Sequence, residues 1–235
     1  MKKKLEVIAT DVIHVLEANK LGVDRIELCS ALSADGLSPS HGMVKWAVNH
    51  AQMPVMVMIR PREGDFIYND QELAVMLDEV SWAKTCGAEG IVIGVLTSDN
   101  QVNIAAMKRI VQLAYPMEVT FHRAIDVVMD PLKSLEEIID LGCTRILTSG
   151  QQSSCIDGKD LILQMQQKAE DRIVIMAGAG INANTIDKIC CNEIAEYHMS
   201  GLNRMEPCNK QELVFGTSMV SRVSDISQVL AKLRA

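Results

Sequence analysis

The segment Thr120–Asp126, TFHRAID, carries a histidine, an arginine and an aspartate within five positions, directly after the apolar run MEVTF. An imidazole that titrates near neutrality can serve as general acid or base. A guanidinium forms paired hydrogen bonds with carboxylate or phosphate. Other apolar runs end in the same polar fashion. Glu27 and Cys29 close DRIELC (24–29), and Arg60, Arg62 and Asp65 lie in IRPREGDF. Thr148, Ser149 and Gly150 end TRILTSG, Gly178 and Gly180 lie in MAGAG, and His198, Ser200 and Gly201 lie in YHMSG. Glu27 is the natural partner of His122, because a carboxyl and an imidazole can divide acid and base roles. The candidate catalytic set is therefore Glu27, Arg60, His122, Arg123 and Asp126.

Arg62 joins Arg60 as an expected anion holder. The glycine turns at Gly178, Gly180 and Gly201, with Ser149, His198 and Ser200, are candidate ligand-binding positions, since backbone N–H groups in such turns attract anions. Cys29 is the candidate ligand for a soft metal such as Cu(I). Each assignment has a plainer alternative. Arg60 or Arg123 could pair with Glu27 or Asp126 as a structural ion network. His122 could be a hydrogen-bonded core histidine. The glycines could simply turn the chain. His14 and His41 fall on predicted helices and read as surface residues, and His50, near a helix end, suits the helix dipole.

The elements that would position this set repeat in a strand-then-helix rhythm. Strand candidates cover 5–9, 24–29, 54–60, 90–94, 117–123, 144–150, 172–178 and 195–201. Several are apolar throughout, as parallel strands buried on both faces are. Between them, TDVIHVLEANKLG has Thr10 or Asp11 as N-cap and Gly22 as stop. A second helix is predicted from Asn69 to Gly87, and a third from Asp130–Pro131 to Gly142. INANTIDKICCNE, holding Cys190 and Cys191, and SDISQVLAKLRA read as two more. Eight βα units in a chain of 235 residues predict an α/β fold, a single-domain (β/α)8 TIM barrel over residues 1–235. The rival is a doubly wound sheet, prompted by the G-x-G-x-x-A match at 178–183. That fingerprint belongs after a first strand, and here it follows the seventh. In a barrel the polar strand ends all arrive at one C-terminal mouth, while the opposite ends look plain.

Composition narrows the function. Aromatic residues are 3 % and the net charge is −7, which argues against nucleic acid, whose binding needs stacking platforms and positive charge. No apolar run approaches the roughly 20 residues of a membrane span, and the basic start MKKKLEVIATD has only a short apolar segment, interrupted by Glu6. A cytoplasmic protein without membrane partners is expected. The 7 cysteines, with no C-x-x-C, read as free thiols. The 14 methionines fill an aliphatic core, and MPVMVMIR packs a barrel strand.

The motifs RIELCSALSADGLSPS, VMIRPREGDFIYND, TFHRAID, RILTSG and AGAGIN, in this order and spread over nearly the whole chain, resemble the CutC copper-homeostasis family. The resemblance implies a cytosolic TIM barrel linked to copper handling, and a homo-oligomer, dimer or tetramer. It carries Glu27, Cys29, Arg60, Arg62, His122, Arg123 and Asp126 onto this chain, and it implies no defined reaction. Two turns depart from the family pattern. The usual GGLTPS is DGLSPS, with Asp35 and Ser38, and the usual RPRGGDF is RPREGDF, where Glu63 adds an acid beside Arg62. Two functions follow. One is copper handling, with copper, as Cu(I), held by Cys29 and helped by Met or His. The other is an enzyme on a small anionic metabolite, phosphorylated or carboxylated, with the arginines holding the anion and His122 and Glu27 exchanging protons. A scaffold acting through an oligomer interface is the third and blandest option.

Overall fold

A computed structural model describes residues 2–205 and 218–235. Eight parallel strands close into a barrel: β1 (Lys4–Ala9), β2 (Arg25–Leu28), β3 (Val55–Met58), β4 (Gly90–Ile93), β5 (Glu118–Phe121), β6 (Arg145–Thr148), β7 (Val174–Gly178) and β8 (Glu196–Met199). Each pairs with the next, and β8 pairs with β1, so the barrel has no free edge and the doubly wound alternative is excluded. Around it run α1 (Val12–Leu21), α2 (His41–His50), α3 (Asp70–Cys86), α4 (Ile104–Ala114), α5 (Pro131–Asp140), α6 (Lys159–Ala169), α7 (Ile186–Ile189) and α8 (Val223–Arg234). No described helix is long and apolar enough to cross a membrane.

The expected end signals do their work. The Asp11 carboxylate accepts the N–H groups of Ile13 and His14 to start α1, and Gly22 ends it in the left-handed region. Asn69 and Glu72 close a reciprocal capping box on α3, and Asp130 caps α5 ahead of Pro131. Strand alternation then sorts the side chains. Val7, Ile26, Val57, Ile91, Val119, Ile146 and Ile175 belong to the main core, beneath the helices. Ile8, Met56, Met58 and Val92 form a second cluster, which with the alternate charged residues fills the barrel interior.

Three expectations change. The helix expected from INANTIDKICCNE shrinks to the single turn α7. Cys190 ends that turn and Cys191 lies beyond it, so the pair does not share a helix. His14 is buried, not a surface residue. Its ring nitrogens lie 3.0 Å from Thr10 Oγ1 and 3.2 Å from the Met219 carbonyl oxygen, so it joins α1 to the C-terminal part of the chain. His41 is exposed as expected and His50 ends α2 as expected, each stacked on a tryptophan, Trp82 and Trp46. Finally, an antiparallel pair, β9 (Leu202–Met205) and β10 (Ser218–Ser221), stands between β8 and α8. Leu202 packs beside Ile8 and Cys29, so this arm adjoins the C-terminal end of the barrel. Cys208 lies outside the described residues.

Candidate functional site

The interior is polar at the end where the sequence looks plainest. Arg25 donates from Nε to Glu6 and from Nη2 to Glu196 Oε2 at 2.7 Å. Arg145 donates to the same Glu196 oxygen at 2.6 Å, and reaches Glu118 at 2.9 Å and Thr120 Oγ1 at 3.2 Å. Glu6, Arg25, Arg145 and Glu196 are all buried. Five strands, β1, β2, β5, β6 and β8, thus contribute to one ion network across the barrel floor.

Above this floor sit Glu27 and His198. His198 Nδ1 lies 2.7 Å from Glu6 Oε1, and one ligand atom from each of Glu6, Glu27 and His198 falls within 4.8 Å of the others. Burial works against a charged Glu6, but Arg25 and the His198 hydrogen bond outweigh it and hold its carboxyl far below the usual range. Glu27 has no such support. Burial pushes its pKa up to about 7, with His198 and Arg25 pulling down and Glu6 pushing up, and its Oε2 has no hydrogen-bond partner. His198 moves the other way from its own burial effect, because Glu27 and Glu6 raise it above its ordinary value. A carboxyl raised to about 7 and an imidazole raised above its ordinary value therefore lie side by side.

The open side is a cavity of about 730 Å³, with Glu27 and His198 among the residues that line it. His122, Arg60 and Phe66 line it too, as do Arg123, Asp126, Gly180, Ser200 and Arg222. His122 follows β5 and turns the chain into the 3-10 turn Arg123–Val127, where its Nδ1 accepts the Ala124 N–H at 3.2 Å. Its ring can sit there because position 94 is glycine, since a Cβ at Gly94 would lie 2.6 Å from the imidazole. Burial and the nearby Arg60 charge lower its pKa to about 3. His122 is thus neutral at pH 7 and serves poorly as a base.

The arginines divide by what already holds them. Arg60 gives Nη1 to the carbonyls of Ala34 (2.7 Å) and Gly36 (3.0 Å) and Nη2 to that of Gly64 (2.9 Å), while its buried Nε has no partner among the described residues. Arg62 does not line the cavity. It pairs with Glu72 and Asp65, donates to the Ile67 carbonyl and stacks over Tyr68. Arg123 lines the cavity while donating to Asp126 at 2.8 Å and Ser149 Oγ at 2.9 Å. Asp126 also accepts the N–H groups of Ser149 (3.0 Å) and Gln151 (3.2 Å), which ties down the loop after β6. This pairing is the ion network named as the plainer alternative, and it leaves Arg123 in the cavity lining.

Among the turn residues, Gly180 and Ser200 reach the cavity. Gly178 is packed against Leu147, and Gly201 against Ile226 of α8. Cys29 is completely buried among Ile8, Met56, Met58, Val92 and Leu202, and burial, reinforced by Glu27, raises its thiol far above the ordinary value. A thiolate is disfavoured there. The Glu6–Glu27–His198 donors are oxygen and nitrogen, and Arg25 already engages Glu6, so this cluster does not fit a soft Cu(I) ion either.

Strand-end reading does not reach Arg222, which follows β10. Its Nη1 lies 3.0 Å from Asp225 Oδ2, and Asp225 Oδ1 accepts the Ala183 N–H at 2.6 Å, linking the C-terminal segment to the turn after β7. Arg222 Nε has no partner among the described residues. The floor network was missed as well. Its signals were Glu6 interrupting an apolar strand, and an arginine opening both RIEL and RILT.

Residues 3–217 match the CutC family model. A family protein CutC from Pasteurella multocida (strain Pm70) is 47 % identical over 199 residues, covering 84 % of this chain and 82 % of that one. One from Glaesserella parasuis serovar 5 (strain SH0165) is 38 % identical over 227 residues, covering 95 % and 93 %. A CutC crystal structure from Streptococcus agalactiae, named for copper homeostasis, is 32 % identical with a TM-score of 0.78, covering 83 % of this chain and 97 % of that one.

Proposed function

The chain belongs to the CutC family, and from that premise we propose that it is an enzyme acting on a small anionic metabolite at the barrel mouth, with Glu27 carrying the proton. One observation supports this above the rest: the Glu27 carboxyl is buried, has an oxygen with no partner, and borders a cavity lined by Arg123 and Arg222. A carboxyl kept there costs stability, and proton exchange near neutral pH is what it is suited to. The anion is held by Arg123 and Arg222, whose guanidinium groups keep donors to spare. Arg60 supplies fixed positive charge, and His198 with Glu6 tunes Glu27.

The test is a thermal-shift screen of phosphorylated and carboxylated metabolites against wild type and the Arg123→Ala and Arg222→Ala variants. A ligand at 100 times its Kd stabilises by about 2.7 kcal/mol. The expected result is a ligand whose shift falls sharply in both variants. If no compound stabilises wild type more than the variants, the reading fails.

Copper handling is the second reading. The family name supports it, and so does the approach of Met58 to Cys29, both of which border the space beside Gly36. The raised thiol pKa opposes it. Anaerobic Cu(I) titration of wild type and Cys29→Ser separates the two, and equal weak binding by both removes Cys29 as a ligand. We further read the protein as cytoplasmic and homo-oligomeric, dimer or tetramer. The apolar Val12, Ile13 and Leu16, exposed along α1, support a contact between copies.

A further inference from the structure

His122 is held in one tautomer by its backbone. A main-chain N–H can only donate, so the His122 Nδ1 that receives the Ala124 N–H must present a lone pair. The neutral ring therefore carries its hydrogen on Nε2. That Nε2 is buried and has no hydrogen-bond partner among the described residues. Its surroundings fix the ring without satisfying it. Gly94 admits one edge, and the Phe66 ring packs against it at 4.8 Å between centroids. An N–H donor kept rigid, neutral and unpaired in a cavity wall is arranged to meet an oxygen atom that gains charge.

The same cavity is lined, from β2, by the Glu27 carboxyl, whose Oε2 has no partner among the described residues. A donor for a developing oxyanion and a carboxylate base lining one cavity are the two groups that removal of a proton beside a carbonyl requires. We propose that the mouth enolises a small carbonyl compound bearing an anionic group, with Glu27 removing the proton and His122 Nε2–H holding the carbonyl oxygen. Glu27 takes the proton from the carbon next to the carbonyl. The C–H electron pair becomes the enolate double bond, and the carbonyl electron pair moves to oxygen, where the His122 N–H donates to it. Where that carbon bears a hydroxyl, the hydroxyl proton passes to the former carbonyl oxygen, and Glu27 returns its proton to the former carbonyl carbon, which restores the carboxylate. The product is the isomeric hydroxy carbonyl compound, and no oxidant or reductant takes part.

The inference rests on the reading of the mouth as an anion-binding catalytic site, and two probes separate the two. Phosphoglycolohydroxamate carries a planar hydroxamate that mimics an enediolate, and glycerol 3-phosphate carries the same phosphate without it. Calorimetry on the full chain is expected to show the hydroxamate binding at least about 100-fold tighter, as for an analogue of a reaction intermediate. His122→Phe is expected to lose that preference, and His122→Gln, whose amide N–H reaches a similar point, to keep most of it. Nitrogen NMR of histidine-labelled wild type is expected to report the Nε2–H tautomer of His122 from pH 5 to 8, a readout that needs neither ligand nor variant. Equal binding of the two probes, or an Nδ1–H or cationic His122 at pH 7, overturns enolisation and leaves the anion site standing. Failure of both probes to bind overturns both.

Discussion

Replacing Arg25 with methionine tests the barrel floor. Arg25 is buried and joins two buried carboxylates, Glu6 and Glu196, the second at 2.7 Å. Methionine fills much of the same volume but removes the charge, leaving Glu6 dependent on His198, and Glu196 on Arg145 at 2.6 Å. Removing one partner from a buried ionic group costs about 3–5 kcal/mol. The surviving partners put Arg25→Met near the lower end of that range. For a chain of this size each kcal/mol moves Tm by about 2–4 °C, so a fall of roughly 6–12 °C is expected. The loss should depend on pH. In wild type, Glu6 has a pKa depressed from the ordinary 4.5. Its contribution is therefore present above that value and is lost only in strong acid, as pH falls through the folded-state value. Without Arg25 the folded-state pKa rises above 4.5, and the variant relieves its stranded charge by taking up a proton. The deficit should therefore shrink between pH 8 and pH 5. Urea unfolding followed by circular dichroism at both pH values measures it, and Arg25→Met/Glu6→Gln should recover over half the loss at pH 8. A deficit below about 1 kcal/mol at pH 8, or one indifferent to pH, would refute the idea that these ions hold one another in place.

Glu27→Gln should make the protein more stable at pH 8. The folded-state pKa of Glu27 is raised from 4.5 to about 7, so wild type loses stability as pH climbs between those values, by up to roughly 3 kcal/mol in total. Glutamine carries no such penalty, so its Tm advantage should grow from pH 5 to pH 8, and a variant less stable than wild type at pH 8 contradicts the account. Gly94→Ala should destabilise by about 1–3 kcal/mol, since the new methyl would lie 2.6 Å from the His122 ring and 2.9 Å from Ala124 Cβ. An unchanged Tm and an unmoved His122 resonance would show that the ring is not confined as described.

The barrel was legible because strands buried on both faces read as short apolar runs, and because Asp11, Asn69, Asp130 and Gly22 mark helix ends chemically. The short hairpin β9–β10 was not, since its described strands have only four residues each and no alternation long enough to stand out. At the site, strand ends led to Glu27, Arg60, His122 and Arg123, all of which line the cavity. Which partners hold them was beyond reach. Arg60 and Arg62 look equivalent in sequence, yet one is held by three backbone carbonyls and the other is drawn to Glu72. Such outcomes depend on how the loop folds in space, and for the floor on contacts between residues far apart along the chain, as Arg25 and Glu196 are. The floor arginines looked ordinary because Arg25 and Arg145 open strands whose phase an apolar run does not reveal.

The ion network across the floor also makes the barrel a blind-ended vessel. With Arg25 and Arg145 linked through Glu196 across its base, whatever enters by the mouth must leave by it. Arrival and departure then share one doorway. A substitution that narrows that doorway slows both, whereas one that weakens the hold of Arg123 or Arg222 on a bound ligand speeds departure.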